Sequence, residues 1–410
     1  MINIEDIRKA HEKIRPYIHK TPLIHSNSFT ELTGATVYIK AENLQKTGSF
    51  KVRGAFNKIM DLSADKIIAA SMGNHAQGVA FAARSLGKHA RIIMPVTAPI
   101  VKQEATKGYG SEVLLHGRSF QEALDFALSQ TDHAFVHAYD NELVMAGQGT
   151  IGLEVMEDDG HIDCVLVPVG GGGLIAGIST AIKSISPGTK VIGVQTGAAA
   201  SAYFSFRKKK PCRRPPTTTL ADGIAVDEVG SRTLEVINKY VDDMVTVSEE
   251  SIAMSILLFL ERKKLVVEGA GAVSLAALIE DKERFRGKRV ALIVSGGNID
   301  FTLIDKIINK GLVSSGRIGT FEVIVRDTPG SLHNIAEIIA AKSGNILNVD
   351  HERFREDLAI GDASIVFTVE TRGKKHLEEI IFQIADKGYE LRKRGEITYP
   401  AHKLCPRRLL

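Results

Sequence analysis

The chain has 410 residues, of which 44% are hydrophobic and 24% are charged, and its formal net charge is +4. These values indicate a globular protein of two or three folding units, and they exclude a strong overall attraction to nucleic acid or to a membrane surface. Cys164, Cys212 and Cys405 are far apart and no apolar run could span a membrane, so we expect no zinc site, no disulfide, no signal segment and a reducing, cytoplasmic location.

Apolar residues at helical spacing predict an amphipathic helix over Ile4–Tyr17, and a short strand is predicted at Val37–Lys40. From there strands and helices alternate, which favours parallel sheets with helices on both faces. The predicted strands are Ile67–Ala70, Arg91–Met94, Glu112–Leu115 and Ala134–His137. The helix predicted after the first of these strands ends near Leu86. The helices predicted after the other three strands cover Ala98–Lys107, Phe120–Leu128 and Glu142–Met156, in that order.

A second alternating run begins at Cys164–Val169, whose nearly continuous apolar residues suit a strand buried on both faces. It continues through helix Leu174–Ile185, strand Lys190–Val194, helix Ser251–Leu260 and strand Arg289–Val294. We therefore expect two α/β lobes with a cleft between them, in one domain over residues 1–315. The smaller lobe, about residues 48–150, is expected to be inserted in the larger one.

The longest basic run lies at Arg207–Arg214, where six of eight residues are basic. Two prolines follow it and no aromatic residue is interleaved. This pattern favours a solvated surface loop, and no nucleic-acid partner is predicted.

The pattern changes after Gly311–Arg317, a stretch that is typical of a linker. The elements predicted beyond it are strand Phe321–Val325, helix Ser331–Lys342, strands Ile346–Asp350 and Ser364–Val369, helix His376–Asp386 and strand Glu390–Thr398. This β-α-β-β-α-β order is ferredoxin-like. We expect a second domain over residues 318–400, and the tail after Pro400 is unassigned.

A lysine suited to covalent chemistry is Lys51, in the stretch Thr47–Gly54. A lysine amine can condense with an aldehyde cofactor when it is held in place and partly desolvated. Gly48 and Ser49 allow a tight turn before it, Phe50 can wall off one side, and a helix is predicted to open at Arg53 and Gly54. A solvated surface charge is the ordinary alternative, but three further glycine-bearing turns after predicted strands favour a site.

Four successive glycines, Gly170–Gly173, lie between a predicted buried strand and a helix. Backbone N–H groups in such a loop can converge on an anion, and the start of the helix adds about half a positive charge. The spacing is not Gly-x-Gly-x-x-Gly and no P-loop lysine follows. A phosphate site is therefore predicted without a dinucleotide or nucleoside triphosphate, the alternative being a tight contact between strand and helix.

Four stretches occur together in a specific order and spacing: Thr47–Gly54, Ser71–Gly78, Gly170–Leu174 and Ser295–Asn298. In these motifs the chain resembles the fold-type II pyridoxal-phosphate enzymes and, among them, the serine/threonine dehydratase family, over about residues 5–315. The resemblance implies a two-lobed α/β fold of the tryptophan synthase β type and pyridoxal 5'-phosphate as cofactor. It implies elimination and deamination of L-threonine and L-serine to 2-oxobutanoate or pyruvate and ammonia.

The resemblance also implies which residues form the site. Those expected at the cofactor are Lys51, Phe50, Asn74, Gly170, Gly171, Gly172, Gly173, Leu174 and Ser295. Those expected at the substrate carboxylate are Ser71, Gly73, Asn74 and His75. Lys51 would hold the cofactor covalently and take the Cα proton, and Ser295 would meet the pyridine nitrogen. Plain helix capping by Ser71 or Asn74 is compatible with these roles.

Alternative functions are β-replacement, racemisation and a non-enzymatic amino-acid sensor, the last disfavoured by Lys51 beside a phosphate loop. Serine racemases carry a serine at the position of Met72, and a methionine cannot transfer a proton. Their divalent-metal site uses carboxylates in a region where this chain has Gln195, Ala199 and Ser201, so no metal is expected. Glu268 faces the cofactor in relatives, or it is a surface charge.

In its turn after Phe321–Val325 and in Gly344–Ile346 the chain resembles an ACT domain. The resemblance implies a sensor of small amino acids that works as side-by-side pairs, so an amino-acid effector and a homodimer or homotetramer are expected. The segment Asp327–Leu332 is expected to face Gly344–Asn348. The residues expected at the effector are Asp327, Pro329, Gly330, Leu332, Asn345 and Ile346.

Overall fold

The computed structural model describes residues 1–392, and the chain divides between Phe301 and Thr302 into two compact units. The strands of the first unit are β1 (Leu23–His25), β2 (Thr36–Ala41), β3 (Lys66–Ala70), β4 (His89–Met94), β5 (Glu112–Leu115), β6 (Ala134–Phe135), β7 (Cys164–Pro168), β8 (Lys190–Thr196), β9 (Asp243–Val247) and β10 (Arg289–Val294).

The helices that cover these strands are α1 (Ile4–Ile14), α2 (Asn27–Thr33), α3 (Lys51–Ile59), α4 (Asn74–Ser85), α5 (Ile100–Gly108), α6 (Phe120–Ser129), α7 (Glu142–Asp158), α8 (Gly173–Ile185), α9 (Ser201–Lys208), α10 (Ser231–Tyr240), α11 (Glu249–Leu258), α12 (Gly269–Glu280) and α13 (Lys282–Phe285). Within residues 1–392 no helix is long and apolar enough to cross a membrane.

Two sheets organise the first unit, as the alternation of strands and helices predicts. A six-stranded sheet has the order β1-β2-β10-β7-β8-β9, and its neighbours are parallel except for β1 and β2. A four-stranded sheet has the order β5-β4-β3-β6 and is parallel throughout. Strand β7 is buried along its whole length, which confirms the prediction from its continuous apolar run.

The two sheets place the predicted motifs together. Ser71–Gly73 follow β3, Gly170–Gly172 follow β7 and Ser295 follows β10. Ligands of open parallel sheets bind beyond the carboxyl ends of the strands. Because β7 and β10 are hydrogen-bonded neighbours, the glycine loop and Ser295 emerge side by side.

The second unit contains most of α14 (Phe301–Ser314), then β11 (Ile318–Arg326), α15 (Ser331–Ala341), β12 (Asn345–Glu352), β13 (Asp362–Glu370), α16 (Lys374–Asp386) and β14 (Glu390–Arg392). The strands form an antiparallel sheet in the order β12-β13-β11-β14. From β11 onwards this is the predicted β-α-β-β-α-β order. Its core holds Phe321, Val323 and Phe367 from the strands and Ile335 and Ile380 from the helices.

Several predictions of the elements need correction. Helix α3 begins at Lys51 itself and not at Arg53. Gly311–Ser314 form the last turn of α14 instead of a linker. The predicted strand at Glu390–Thr398 is present as far as Arg392. The described residues do not include the rest of this strand, the end of the 318–400 domain, Cys405 or the tail after Pro400. Strand β9 was not predicted because Asp243 and Thr246 interrupt its apolar pattern.

Candidate active site

A cleft of about 1500 Å³ in the first unit is lined by residues of all four motifs. Every residue predicted at the cofactor or the substrate lies on its wall: Phe50, Lys51, Ser71, Gly73, Asn74, His75, Gly170, Gly171, Gly172, Gly173, Leu174 and Ser295. The structure therefore brings together side chains and loops that are up to 245 positions apart, from Phe50 to Ser295. No predicted cofactor or substrate residue falls elsewhere.

Lys51 is the first residue of α3, and its amine points to the cleft wall. Its Nζ donates a hydrogen bond to the backbone oxygen of Ala138 at 2.9 Å and lies 5.2 Å from the centre of the Phe50 ring. Burial lowers the pKa of the amine from 10.5 to about 8, although Glu268 partly offsets the shift. The Phe50 N–H donates to the Ser295 carbonyl at 3.0 Å, which ties the lysine to the end of β10.

The glycine loop has the geometry of an anion cradle. Gly172 adopts φ +95° and precedes α8 without a side-chain cap, so the first N–H groups of the helix have no intrahelical acceptor. A Cβ at Gly171 would overlap the ring of Tyr139, and one at Gly172 would lie 2.8 Å from the Thr233 hydroxyl. The loop can follow this course only with glycine, and its uncapped N–H groups at the start of α8 fit a phosphate group.

The segment that follows β3 leads directly into α4, which begins at Asn74 after Gly73 without a side-chain cap. Ser71 Oγ accepts a hydrogen bond from the Gly73 N–H at 3.2 Å. His75 is buried and its Nε2 bonds the Val136 carbonyl at 2.9 Å, so Nε2 carries the proton. Burial, with a contribution from Lys51, lowers the pKa of His75 to about 3, and the ring is neutral.

Two side chains extend the site beyond the predicted set. Asn74 Nδ2 donates to both carboxylate oxygens of Glu268, at 2.9 and 3.0 Å. Asn298 Nδ2 in turn donates to Asn74 Oδ1 at 2.7 Å and to the Thr47 carbonyl at 2.8 Å. Burial raises the pKa of Glu268 to about 7, against the hydrogen bond from Asn74. Glu268 is thus a buried member of the site and not a surface charge.

Ser295 directly follows β10 and is 2% exposed. Its carbonyl accepts from Phe50, whereas its hydroxyl forms no hydrogen bond with another residue of the described range 1–392. Met72 also lies on the cleft wall. By contrast, the Gln195 side chain accepts the Tyr203 N–H at 2.8 Å and the Ser201 hydroxyl donates to the Val226 carbonyl at 2.8 Å, so both make local structural contacts.

The cleft has further walls that the sequence did not predict. Tyr139 lies against the glycine loop, and Arg213, Pro215, Pro216 and the segment from Asp222 to Glu228 also line the cleft. Lys102 on α5 pairs with Asp222 at 2.9 Å and so joins the two lobes there. Most of the basic run Arg207–Arg214 is exposed as predicted, but its first two residues end α9 and Arg213 borders the cleft.

The second unit does not bring its predicted residues together within one chain. Asp327 follows the end of β11, where its carboxylate pairs with Arg353 at 3.0 Å. Asn345 begins β12 and pairs with Glu370, at the level of Ile318 and the start of β11. Since each residue of β11 advances about 3.3 Å, the segments that begin at Asp327 and at Asn345 are roughly 25 Å apart along the direction of this strand. Within one copy Asp327–Leu332 therefore does not face Gly344–Asn348, and the expected effector site between paired domains stays a prediction.

Comparisons with known proteins identify relatives that cover most of the chain. L-threonine ammonia-lyase of Thermotoga maritima is 49% identical over 399 residues, which is 96% of this chain and 99% of the relative. The enzyme of the same name from Geobacter sulfurreducens is 45% identical over 93% of this chain and 97% of the relative. A crystal structure of the T.th. threonine deaminase superposes with a TM-score of 0.71 at 42% identity, over 73% of this chain and 99% of that one. Residues 14–296 match the pyridoxal-phosphate dependent enzyme family, and the chain belongs to that family.

Proposed function

We propose that the chain deaminates L-threonine, and L-serine as a second substrate, to a 2-oxo acid and ammonia. The observation that carries the proposal is the convergence of Lys51, the glycine loop and the start of α4 on one cleft. Relatives named L-threonine ammonia-lyase, at 45% and 49% identity over nearly the whole chain, support the same reaction.

The cofactor fits the cleft by its chemistry. Gly171 and Gly172 leave backbone N–H groups open for the phosphate, Lys51 offers a desolvated amine to the aldehyde, and the Ser295 hydroxyl is free for the ring nitrogen. When bound, pyridoxal phosphate supplies an aldehyde for condensation with amines and an electron-withdrawing ring.

Each residue then has a role that its surroundings allow. Because burial lowers its pKa to about 8, the Lys51 amine would be neutral often enough near pH 8 to accept the Cα proton. The uncapped N–H groups at the start of α4, at Asn74 and His75, receive the substrate carboxylate. Ser295 presents a hydroxyl to the ring nitrogen, and a hydroxyl does not hold a proton there as a carboxylate would.

Racemisation is the main rival. It requires a second acid or base on the face of the substrate opposite Lys51, and the side chain next to Ser71 on the cleft wall is the thioether of Met72. A thioether neither donates nor accepts a proton at neutral pH. One-sided elimination is therefore favoured. β-Replacement would need a second nucleophile, which distinguishes it in the assay.

The deciding assay incubates the protein with L-threonine and pyridoxal phosphate alone. We expect equal amounts of ammonia and 2-oxobutanoate, and pyruvate when L-serine replaces L-threonine. Formation of D-serine from L-serine without ammonia would favour the racemase. Product formation only after a thiol or another nucleophile is added would favour β-replacement.

The lowered pKa of Lys51 predicts the pH dependence of cofactor attachment. Only the neutral amine attacks an aldehyde, and burial lowers the pKa of this amine from 10.5 to about 8. The rate at which apoprotein develops visible absorbance with pyridoxal phosphate should therefore rise with pH and level off above about 8. A rate that still climbs towards pH 10 would show an ordinary lysine at the reacting position.

For the second unit we propose an ACT-type regulatory domain that works as a pair of copies. Its β-α-β-β-α-β order, Gly330 at φ +96° before α15 and the part-exposed Leu332 support a small amino acid with a branched aliphatic side chain as effector. Because Asn345 and Ile346 lie at the other end of the sheet, a second copy must supply them if they contact the same effector. The whole protein is then a homodimer or homotetramer.

Regulation is tested with the full-length protein and a chain truncated after Ser315, assayed with isoleucine, valine, leucine and serine. A typical allosteric coupling predicts a change in full-length activity of roughly 5- to 150-fold with one of them, and none after truncation. An unchanged response in the truncated chain, or no response in either, would leave the domain with an oligomerisation role only.

A further inference from the structure

Four buried charged side chains form a connected group around Arg53, two residues after Lys51. They are Lys40, Glu42, Arg53 and Glu154. Each side chain is at most 1% exposed, and none of the four lines the cleft. Two are positive and two negative, so the group is neutral as a whole. Burying ions costs desolvation energy that pairing often does not exceed, and in some proteins such buried groups fix one arrangement of the elements that they join.

The guanidinium of Arg53 is the centre of the group. Its Nε and Nη2 each donate to one oxygen of Glu42 at 2.8 Å. Its Nη1 and Nη2 donate to the two oxygens of Glu154 at 2.6 and 2.9 Å, and Nη1 also donates to the Thr150 hydroxyl at 3.0 Å. Lys40 Nζ donates to Glu154 at 2.6 Å. These two bidentate pairs hold the planar guanidinium group in one orientation. A lysine ammonium group cannot form such pairs.

These bonds connect three elements at the position where the reactive lysine emerges. Glu42 follows β2, Arg53 lies in the first turn of α3 and Glu154 lies on α7. Helix α3 has no side-chain cap at its start. Its backbone also touches α7, since a Cβ at Gly147 would lie 2.7 Å from the Arg53 carbonyl oxygen. Arg53, two residues after Lys51, is therefore held by contacts to both the segment after β2 and helix α7.

We propose that Arg53, with Glu42, Glu154 and Lys40, is a positioning group that aims the Lys51 amine at the reacting carbon in the cleft. The inference rests on the proposed attachment of the cofactor to Lys51. Loosening the group should impair the proton transfer at Lys51 more than the binding of substrate, because the substrate carboxylate is held by α4 and not by α3. A displacement of about 1 Å caused by a remote substitution can cost about 100-fold in rate.

The test is Arg53→Lys in the holoenzyme, which keeps the charge and loses both bidentate pairs. We expect kcat for L-threonine to fall about 100-fold, KM to change little, and the pH midpoint of the visible absorbance band to shift. The matched control is Arg289→Lys, at the opposite end of β10 from Ser295, where the arginine pairs with Asp159 and Tyr38. The control should lower the melting temperature without changing kcat or the absorbance band.

A folded Arg53→Lys protein with the kcat and absorbance titration of the unaltered enzyme would overturn the proposal and leave a structural role only. If that variant does not fold, the double variant Lys40→Met with Glu154→Gln is used, since it removes one charge of each sign and keeps the Arg53–Glu42 pair. The same two measurements decide it, and unaltered values again overturn the proposal. Failure of the proposed attachment is seen separately, because borohydride would then label a different lysine in the unaltered protein.

Discussion

Lys51→Ala is expected to abolish covalent attachment of the cofactor and to reduce ammonia release from L-threonine by at least roughly 10²- to 10⁴-fold, the range for loss of one general acid–base group. The fold should change little. The amine makes one hydrogen bond, to the Ala138 carbonyl, and losing one partner of a buried group costs about 1–3 kcal/mol. Borohydride reduction followed by peptide mapping and a visible absorbance spectrum give the result.

Lys58→Ala is the matched control, because Lys58 lies on the same helix and does not line the cleft. It should keep the absorbance band and the activity. In the unaltered protein the borohydride label should fall on the peptide that contains Lys51. A label on another lysine, or a Lys51→Ala protein that still absorbs and deaminates, would contradict the assignment.

Local pattern predicted most of the framework on which this site is built. The apolar run of β7 and the glycines after it defined both a strand and the loop beyond its end, and β5 and β10 have the predicted bounds. The weakly patterned elements were missed. Strand β1 has only three residues, and β9 is interrupted by polar side chains.

The site was predictable where a motif holds its own chemistry and unpredictable where contacts are distant in sequence. Lys51 and Gly170–Gly173 are local signals. Glu268 was ambiguous, since its hydrogen-bond partner Asn74 lies 194 positions away in the sequence. Arg53 could be read only as the opening of a helix, because Glu154 lies 101 positions along the chain. Charge pairing of this kind is a property of the tertiary fold and leaves no periodicity to read.

Gly171→Asp is expected to weaken cofactor binding by roughly 10²- to 10⁴-fold. The loop offers backbone N–H groups to the phosphate, and each hydrogen bond to a charged group is worth about 1.5–3 kcal/mol. The new Cβ would overlap the Tyr139 ring and push the backbone away from its present course, so that two such bonds are lost and the carboxylate adds repulsion. Two bonds correspond to about 3–6 kcal/mol, and each 1.4 kcal/mol to a factor of ten.

Two variants separate the causes when apoprotein is titrated with pyridoxal phosphate and followed by absorbance. Gly171→Asn has the size of aspartate without its charge, so it should bind the cofactor more tightly than Gly171→Asp but more weakly than the unaltered protein. Gly188→Asp adds the same charge where no atom lies within 4 Å of the new Cβ, and its Kd should be normal. Since steric exclusion and charge repulsion both act at position 171, a near-normal Kd for Gly171→Asp would remove the glycine loop from the phosphate site.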